Sequence, residues 1–165
     1  MAKRMLAVVM VLLFAGHAYA ASTDGWTALR NERFGFRLEY PADLFQPHRT
    51  SKAGDGIVLV SRGGNGRLLV GAFENHAGYS PASYQDYLAR QSFGSFPVTY
   101  APRGQTWFAL SGERDGKIFY EKVMFSCGNR VITSFAMTYP SAQRRRFDAV
   151  VERIENSFRP GSGCK

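Results

Sequence analysis

Three consecutive segments in the second half of the chain constrain its fold most: TWFALSGER (106–114), KIFYEKVMF (117–125) and RVITSFAMTY (130–139). Each has the length and the β-branched and aromatic content of a strand. Asp115-Gly116 joins the first two, and Asp-Gly is a favoured pair for a two-residue type I′ turn. Gly128-Asn129 stands between the second and third. Two-residue loops at both places pair Glu113 with Ile118, Ser111 with Tyr120 and Trp107 with Met124. They also pair Ser126 with Val131, Met124 with Thr133 and Lys122 with Phe135. One face then carries Trp107, Ala109, Tyr120, Met124, Val131, Phe135 and Met137. The other carries Phe108, Leu110, Phe119, Val123, Phe125, Ile132 and Ala136. Both are apolar. An antiparallel sheet with one wet side alternates apolar and polar residues, so this meander needs cover on each side.

Two segments read as helices able to supply it. Ser80 and Pro81 open the first, with Ser83 and Asp86 at capping-box spacing and Tyr84, Tyr87, Leu88 and Gln91 on its inner face. The second runs over roughly 141–158, with Phe147, Val150, Val151, Ile154 and Phe158 on one stripe and Pro160 beyond its end. Upstream, residues 26–29 read as a short strand, and FGFRLEYP as an alternating strand closed by Pro41. PADLF reads as a helical turn that tucks in Leu44 and Phe45, and residues 46–56 read as a loop. IVLVS (57–61) and RLLVGAFE (67–74) form a hairpin, and a further strand lies around Val98–Ala101. The expected fold is α+β: a three-layer α/β/α sandwich about a central, mostly antiparallel sheet.

The first twenty residues, MAKRMLAVVMVLLFAGHAYA, have the three parts of a secretory signal. Lys3 and Arg4 begin it, an apolar run follows from Met5 to Ala15, and Ala18 and Ala20 give the small-x-small site. Cleavage after Ala20 makes Ala21 the first mature residue. Residues 21–165 then form one domain, exported to a bacterial periplasm or secreted. The apolar run is shorter than the roughly 20 residues a spanning helix needs, so no transmembrane segment is expected in the mature chain. An uncleaved anchor or a buried first helix is the rival reading.

Two cysteines remain, Cys127 and Cys164. In an oxidising compartment such a pair reads as a disulfide. Metal ligation is the rival, but CxxC spacing is missing and the histidines of the mature part, His48 and His76, lie far off in sequence. No cofactor motif is present: the glycine clusters at 63–66 and 112–116 join strands, whereas a phosphate loop leads from strand into helix and ends in GK[ST].

FGFRLEYPADLF near the start and IleGluAsnSerPhe158 near the end, with the middle hairpin, the YQDYLARQ helix and the late meander in order between them, resemble the PsbP-like group. That group includes the photosystem II extrinsic protein, DcrB-like envelope proteins and a nuclear import factor that binds a small GTPase. The resemblance covers nearly the whole mature chain. It implies the same sandwich and a non-enzymatic, partner-binding role, and it transfers no catalytic residue.

The formal charge is +8, or +6 once Lys3 and Arg4 leave with the leader, which for an exported chain points to an acidic envelope protein or an anionic surface. Export and the lack of a recognition module argue against nucleic acid. Arg144, Arg145 and Arg146 open the last helix, where amides and guanidinium groups suit an anion. Consecutive helical positions fan out by about 100°, so a plain solvated face is the competing reading. Tyr79 and Tyr84 are the candidate aromatic contact. A small hydrolase-like enzyme using His76 (with Glu74 nearby) or His48 is the alternative function, though no nucleophile motif accompanies either. Glu121 and Lys122 fall on opposite apolar faces of the meander. Each must snorkel to an edge, find a partner or mark a cleft.

Overall fold

The meander forms with the expected register. In the computed structural model, which describes residues 24–91, 96–162 and 164, the three late strands are β7 (Trp107–Arg114), β8 (Lys117–Ser126) and β9 (Val131–Pro140). Trp107 faces Met124 and Ser111 faces Tyr120; across the next ladder Lys122 faces Phe135 and Ser126 faces Val131. Asp115 and Gly116 both have positive φ, as a type I′ turn requires. The second connection has four residues, Cys127 to Arg130, of which the first three have positive φ. It is centred on the Gly128–Asn129 bond, so the longer loop leaves the pairing unchanged.

Earlier strands extend this meander into a seven-stranded antiparallel sheet. β4 (Gly56–Ser61) and β5 (Arg67–Glu74) form the hairpin, and β5 pairs with β9. The outer strands are β3 (Phe45–Thr50) beside β4 and the three-residue β6 (Val98–Tyr100) beside β7. β3 corrects the expected loop at 46–56. Every residue after Phe45 in it is exposed, so it carries no alternation to read, and its ladder shifts between Pro47 and Arg49. β1 (Trp26–Arg30) and β2 (Arg37–Pro41) form a separate two-stranded sheet, and the strand expected from Phe34 begins three residues later.

One face of the large sheet is fully roofed. The final helix, α2 (Arg144–Ser157), follows a single 3-10 turn at Ser141–Gln143. It packs Phe147, Val151 and Ile154 with the β1–β2 hairpin onto Phe45, Leu59, Leu68, Phe135 and Met137. Tyr139 stacks on Phe147 at 5.1 Å and Phe158 meets Phe135 edge-on at 5.2 Å. Part of the other face is covered by α1 (Pro81–Gln91), which lays Tyr84 and Leu88 over Phe108, Leu110, Phe119, Val123, Phe125 and Ile132.

Local detail corrects the first-helix expectation. Ser80 Oγ accepts from the Ser83 amide at 3.2 Å and the Ser80 amide donates to Ser83 Oγ at 3.0 Å. The reciprocal cap is therefore Ser80 with Ser83, one turn before the expected Ser83–Asp86 pair. The buried positions are Pro81, Tyr84, Gln85 and Leu88, while Tyr87 and Gln91 are exposed. Gln85 turns inward because its amide donates to the carbonyls of Ala101 (3.1 Å) and Ala109 (3.3 Å).

Past α2 the chain turns back along β2. The Arg37 and Arg159 backbones exchange hydrogen bonds at 3.0 and 2.8 Å. Gly161 lies so close to residue 34 that a Cβ there would sit 1.6 Å from the Phe34 carbonyl oxygen. The tail ends in a disulfide between Cys164 and Cys127, a sequence separation of 37 residues. The signal-sequence expectation, with Ala18, Ala20 and Ala21, lies outside the described residues.

A closed loop of that length is worth about 4 kcal/mol in the chain-entropy account. Cys164→Ser should therefore lose most of that amount in urea unfolding at pH 7. A loss below about 1 kcal/mol would show that the tail is held without the bridge.

Candidate functional site

The roof over the second face stops halfway across the sheet. Consecutive ladders place Arg49, Val58, Leu69, Ala136, Glu121 and Leu110 on one transverse row, from the β3 edge to β7. The next row reads Gly56, Gly71, Ser134, Val123 and Phe108, and the one beyond it Phe73, Ile132 and Phe125. α1 sits over the β7–β8 end of these rows. The β4–β5–β9 end has small residues in its middle row and, among the described residues, no helix above it. A groove of about 860 Å³ results, floored by Leu69, Gly71, Ser134 and Ala136 and flanked by Phe73 and Leu88. Leu69 and Phe73 are 40% and 42% exposed. The Gly56–Gly71 pair keeps its part of the floor free of side chains. Those strands run close enough that a Cβ on Gly56 would reach the Val70 carbonyl oxygen at 2.8 Å.

Glu121 lies at the inner end of this groove, 9% exposed. Burial pushes its carboxyl up to about 7, against the downward pull of a hydrogen bond from the Ser134 hydroxyl. The other end is polar. Arg49, Thr50, Ser51, Lys52 and Asp55 line it, and Asp55 is engaged by the Ser51 hydroxyl. Beside the groove stands an aromatic stack: Phe73 meets Tyr84 at 6.0 Å, and Tyr79, Tyr84 and Tyr87 lie 5.1–6.0 Å apart.

This geometry sorts the residues singled out from sequence. Tyr79 and Tyr84 do come together, but Tyr84 is buried as the roof contact, and Tyr87 at 41% is the exposed tyrosine of the three. Burial and the Glu121 charge both push the Tyr84 phenol up, so it stays neutral. Lys122, on the opposite face, has its partner. Its ammonium is 2.6 Å from Glu155 Oε1 of α2 and 3.5 Å from the Trp107 ring centroid, and Tyr120 donates to the same carboxylate at 2.9 Å. That cluster ties α2 to the sheet. Arg144 pairs with Glu113 at 2.5 Å and Arg145 and Arg146 are exposed; with Ser141, Ala142 and Gln143 the three arginines line one shallow depression. His48 is exposed on β3, and His76 lies 3.1 Å from Glu74 at 84% exposure. Neither histidine shares a hydrogen bond with a serine or cysteine side chain among the described residues. No group of three or more His, Cys, Asp or Glu side chains suited to a metal occurs among those residues. No helix among them is long and apolar enough to cross a membrane.

The groove itself was not read from sequence. Its signal was the alternation in β5: Leu68, Val70 and Ala72 on one side, Leu69, Gly71 and Phe73 on the other. That is the two-sided apolar pattern of the meander, and here only one side is covered.

No protein-family profile matches the chain, and no curated protein matches it. Solved structures do. Cyanobacterial PsbP (CyanoP) from Synechocystis sp. PCC 6803 superimposes with a TM-score of 0.64 at 10% identity, covering 88% of this chain and 98% of that one. The Ran-binding protein Mog1p of Saccharomyces cerevisiae gives 0.58 at 11%, over 80% and 93%. LpqN of Mycobacterium tuberculosis, described as involved in cell envelope biogenesis, gives 0.54 at 14%, over 82% and 90%. At these identities the likeness is one of fold.

A carboxyl raised to about 7 from an ordinary value near 4.5 binds its proton more tightly in the folded chain. Stability contributed this way is present at low pH and is lost as pH rises through about 7, by about 3 kcal/mol in all. Glu121→Gln should unfold with less pH dependence between pH 5 and 8 and melt higher than the parent at pH 8. Equal slopes in the two proteins would show that Glu121 carries no such linkage.

Proposed function

We propose that this chain, PsbP-like in fold, is a non-catalytic accessory protein of the bacterial periplasm that recognises its ligand in the open half of the sheet. One observation carries this reading: an apolar groove crosses the strands with Leu69 and Phe73 in contact with solvent and a buried carboxyl at its end. Pockets of roughly 300–1,000 Å³ with an apolar lining and few polar groups are the usual form of ligand sites. Exposed apolar patches of this kind mark contact surfaces. Export is supported by the three-part N-terminus and by the Cys127–Cys164 bridge, since disulfides persist in oxidising compartments. The part played by LpqN in cell envelope biogenesis agrees with an envelope role.

This reading sets the groove ahead of the arginine triplet, whose Arg144 is already paired with Glu113. It also stands ahead of an enzyme built on His76 or His48, whose exposed rings share no hydrogen bond with a serine or cysteine side chain among the described residues.

The test is recovery of the tagged chain from its native envelope, followed by extraction and mass spectrometry of what co-purifies. Leu69→Asp with Phe73→Asp should deplete the bound material at least tenfold, with an unchanged far-ultraviolet spectrum. His48→Ala with His76→Ala, and Arg145→Glu with Arg146→Glu, should leave it in place. Retention by the groove variant would remove this reading, and loss in the histidine variant would restore the enzymatic one.

A further inference from the structure

The two ends of the groove differ in chemistry, and the difference defines an occupant. At the outer end, Arg49 on β3 and Lys52 in the β3–β4 connection are exposed cations. The acid beside them, Asp55, is taken up by the Ser51 hydroxyl and by its own turn, where its backbone amide donates to Ser51 Oγ at 3.2 Å. Between the ends the floor is Val58, Leu69, Gly71, Ala136 and Phe73. At the inner end Leu88 and Glu121 close it. A molecule lying across the strands therefore meets cations first, hydrocarbon next and a carboxyl last.

We propose that the groove takes a single-chain amphiphile with an anionic head, its head at Arg49 and Lys52 and its tail over Leu69 and Ala136 toward Glu121, and that binding takes up a proton at Glu121. This inference rests on the groove being the recognition site. The ordering follows from solvation. A tail laid on Glu121 removes the last water from a carboxyl already held by a single hydroxyl. An ionised carboxylate cannot be left against hydrocarbon without a large cost, whereas the protonated acid can keep its bond with Ser134.

Among the described residues, the neighbours of Glu121 supply no countercharge. β7 presents Leu110, β9 presents Ser134 and Ala136, β5 presents Leu69 and Gly71, and α1 presents Leu88 and Tyr84, whose phenol stays neutral. The other charged groups lining the groove, Arg49, Lys52 and Asp55, stand at its far end. Ligand uptake and the charge state of Glu121 are therefore linked thermodynamically.

The experiment uses the disulfide-bonded chain and two probes with the same tail and permanent charge, dodecyl sulfonate and dodecyltrimethylammonium, below their micelle concentrations. Calorimetric titration at pH 6 and pH 8 should show the sulfonate bound at one site and roughly tenfold weaker at pH 8, as the groove carboxyl ionises. The cationic probe should bind less tightly at both values. Glu121→Gln should bind the sulfonate equally at the two pH values. Arg49→Glu with Lys52→Glu should weaken it several-fold while leaving the uncharged probe dodecyl maltoside unaffected. Should the Gln variant fail to fold, the pH response of the parent chain decides. Preference for the cation, tighter sulfonate binding at pH 8, or an undiminished pH response in Glu121→Gln overturns the proposal. If neither probe binds while Leu69→Asp with Phe73→Asp still strips the natural ligand, the occupant is wrong and the groove reading stands. If that variant strips nothing, the groove reading itself is lost.

Discussion

A helix about 10 Å across cannot roof a sheet whose seven strands, about 4.8 Å apart, spread over nearly 30 Å. Much of this molecule follows from that mismatch. On one side the chain meets it with two elements, α2 and the β1–β2 hairpin, which share the load and interlock through Phe36, Leu38, Ile154 and Phe158. On the other side the cover among the described residues is α1, of 11 residues, with Tyr79 and Phe96 beside it. It sits where side chains are largest, over Phe108, Phe119 and Phe125. The part of the sheet it does not cover carries glycine, serine and alanine in the middle of its rows, so the uncovered surface is a trough with Leu69 on its floor and Phe73 at its side.

Burial then assigns different roles to two neighbours in sequence. Lys122 and Glu121 point to opposite faces of β8. Behind Lys122 stands α2, which can send Glu155 to meet it, and the resulting pair with Trp107 and Tyr120 becomes part of the roof. Behind Glu121 stand Leu88 and Tyr84 of α1, which bring no cation, and a hydroxyl from Ser134 bonds it. The residue that stays incompletely neutralised is the one beside the opening, which is where shifted acids tend to serve a ligand.

The sequence was most legible where local chemistry and long-range packing agreed. Asp115-Gly116 specified its turn, the turn specified the register, and the register put every side chain of the meander on its observed face. The periodic stripe of α2 was equally plain. β3 was hidden because its exposed residues, Gln46 to Thr50, carry no alternation, and a strand with both faces wet looks like a loop until its partner is seen. The cap of α1 was misplaced because two capping pairs, Ser80–Ser83 and Ser83–Asp86, fit the spacing and only the backbone decides between them. The groove was hidden for the opposite reason. Leu69 and Phe73 have the pattern of core residues, and nothing in a one-dimensional pattern reports that the covering layer ends before it reaches them.

The outer border of the sheet has a bearing on how such a molecule lives among copies of itself. An open trough beside an unpaired strand is a hazard, because a neighbouring chain could dock its own strand there and begin a ribbon. β3 carries Pro47, which lacks a donor, an irregular step between Pro47 and Arg49, and charged Arg49; at the opposite border β6 is only three residues long. Neither margin makes a good template for continued stacking. The molecule can thus keep a greasy surface accessible to a guest without inviting growth into fibres.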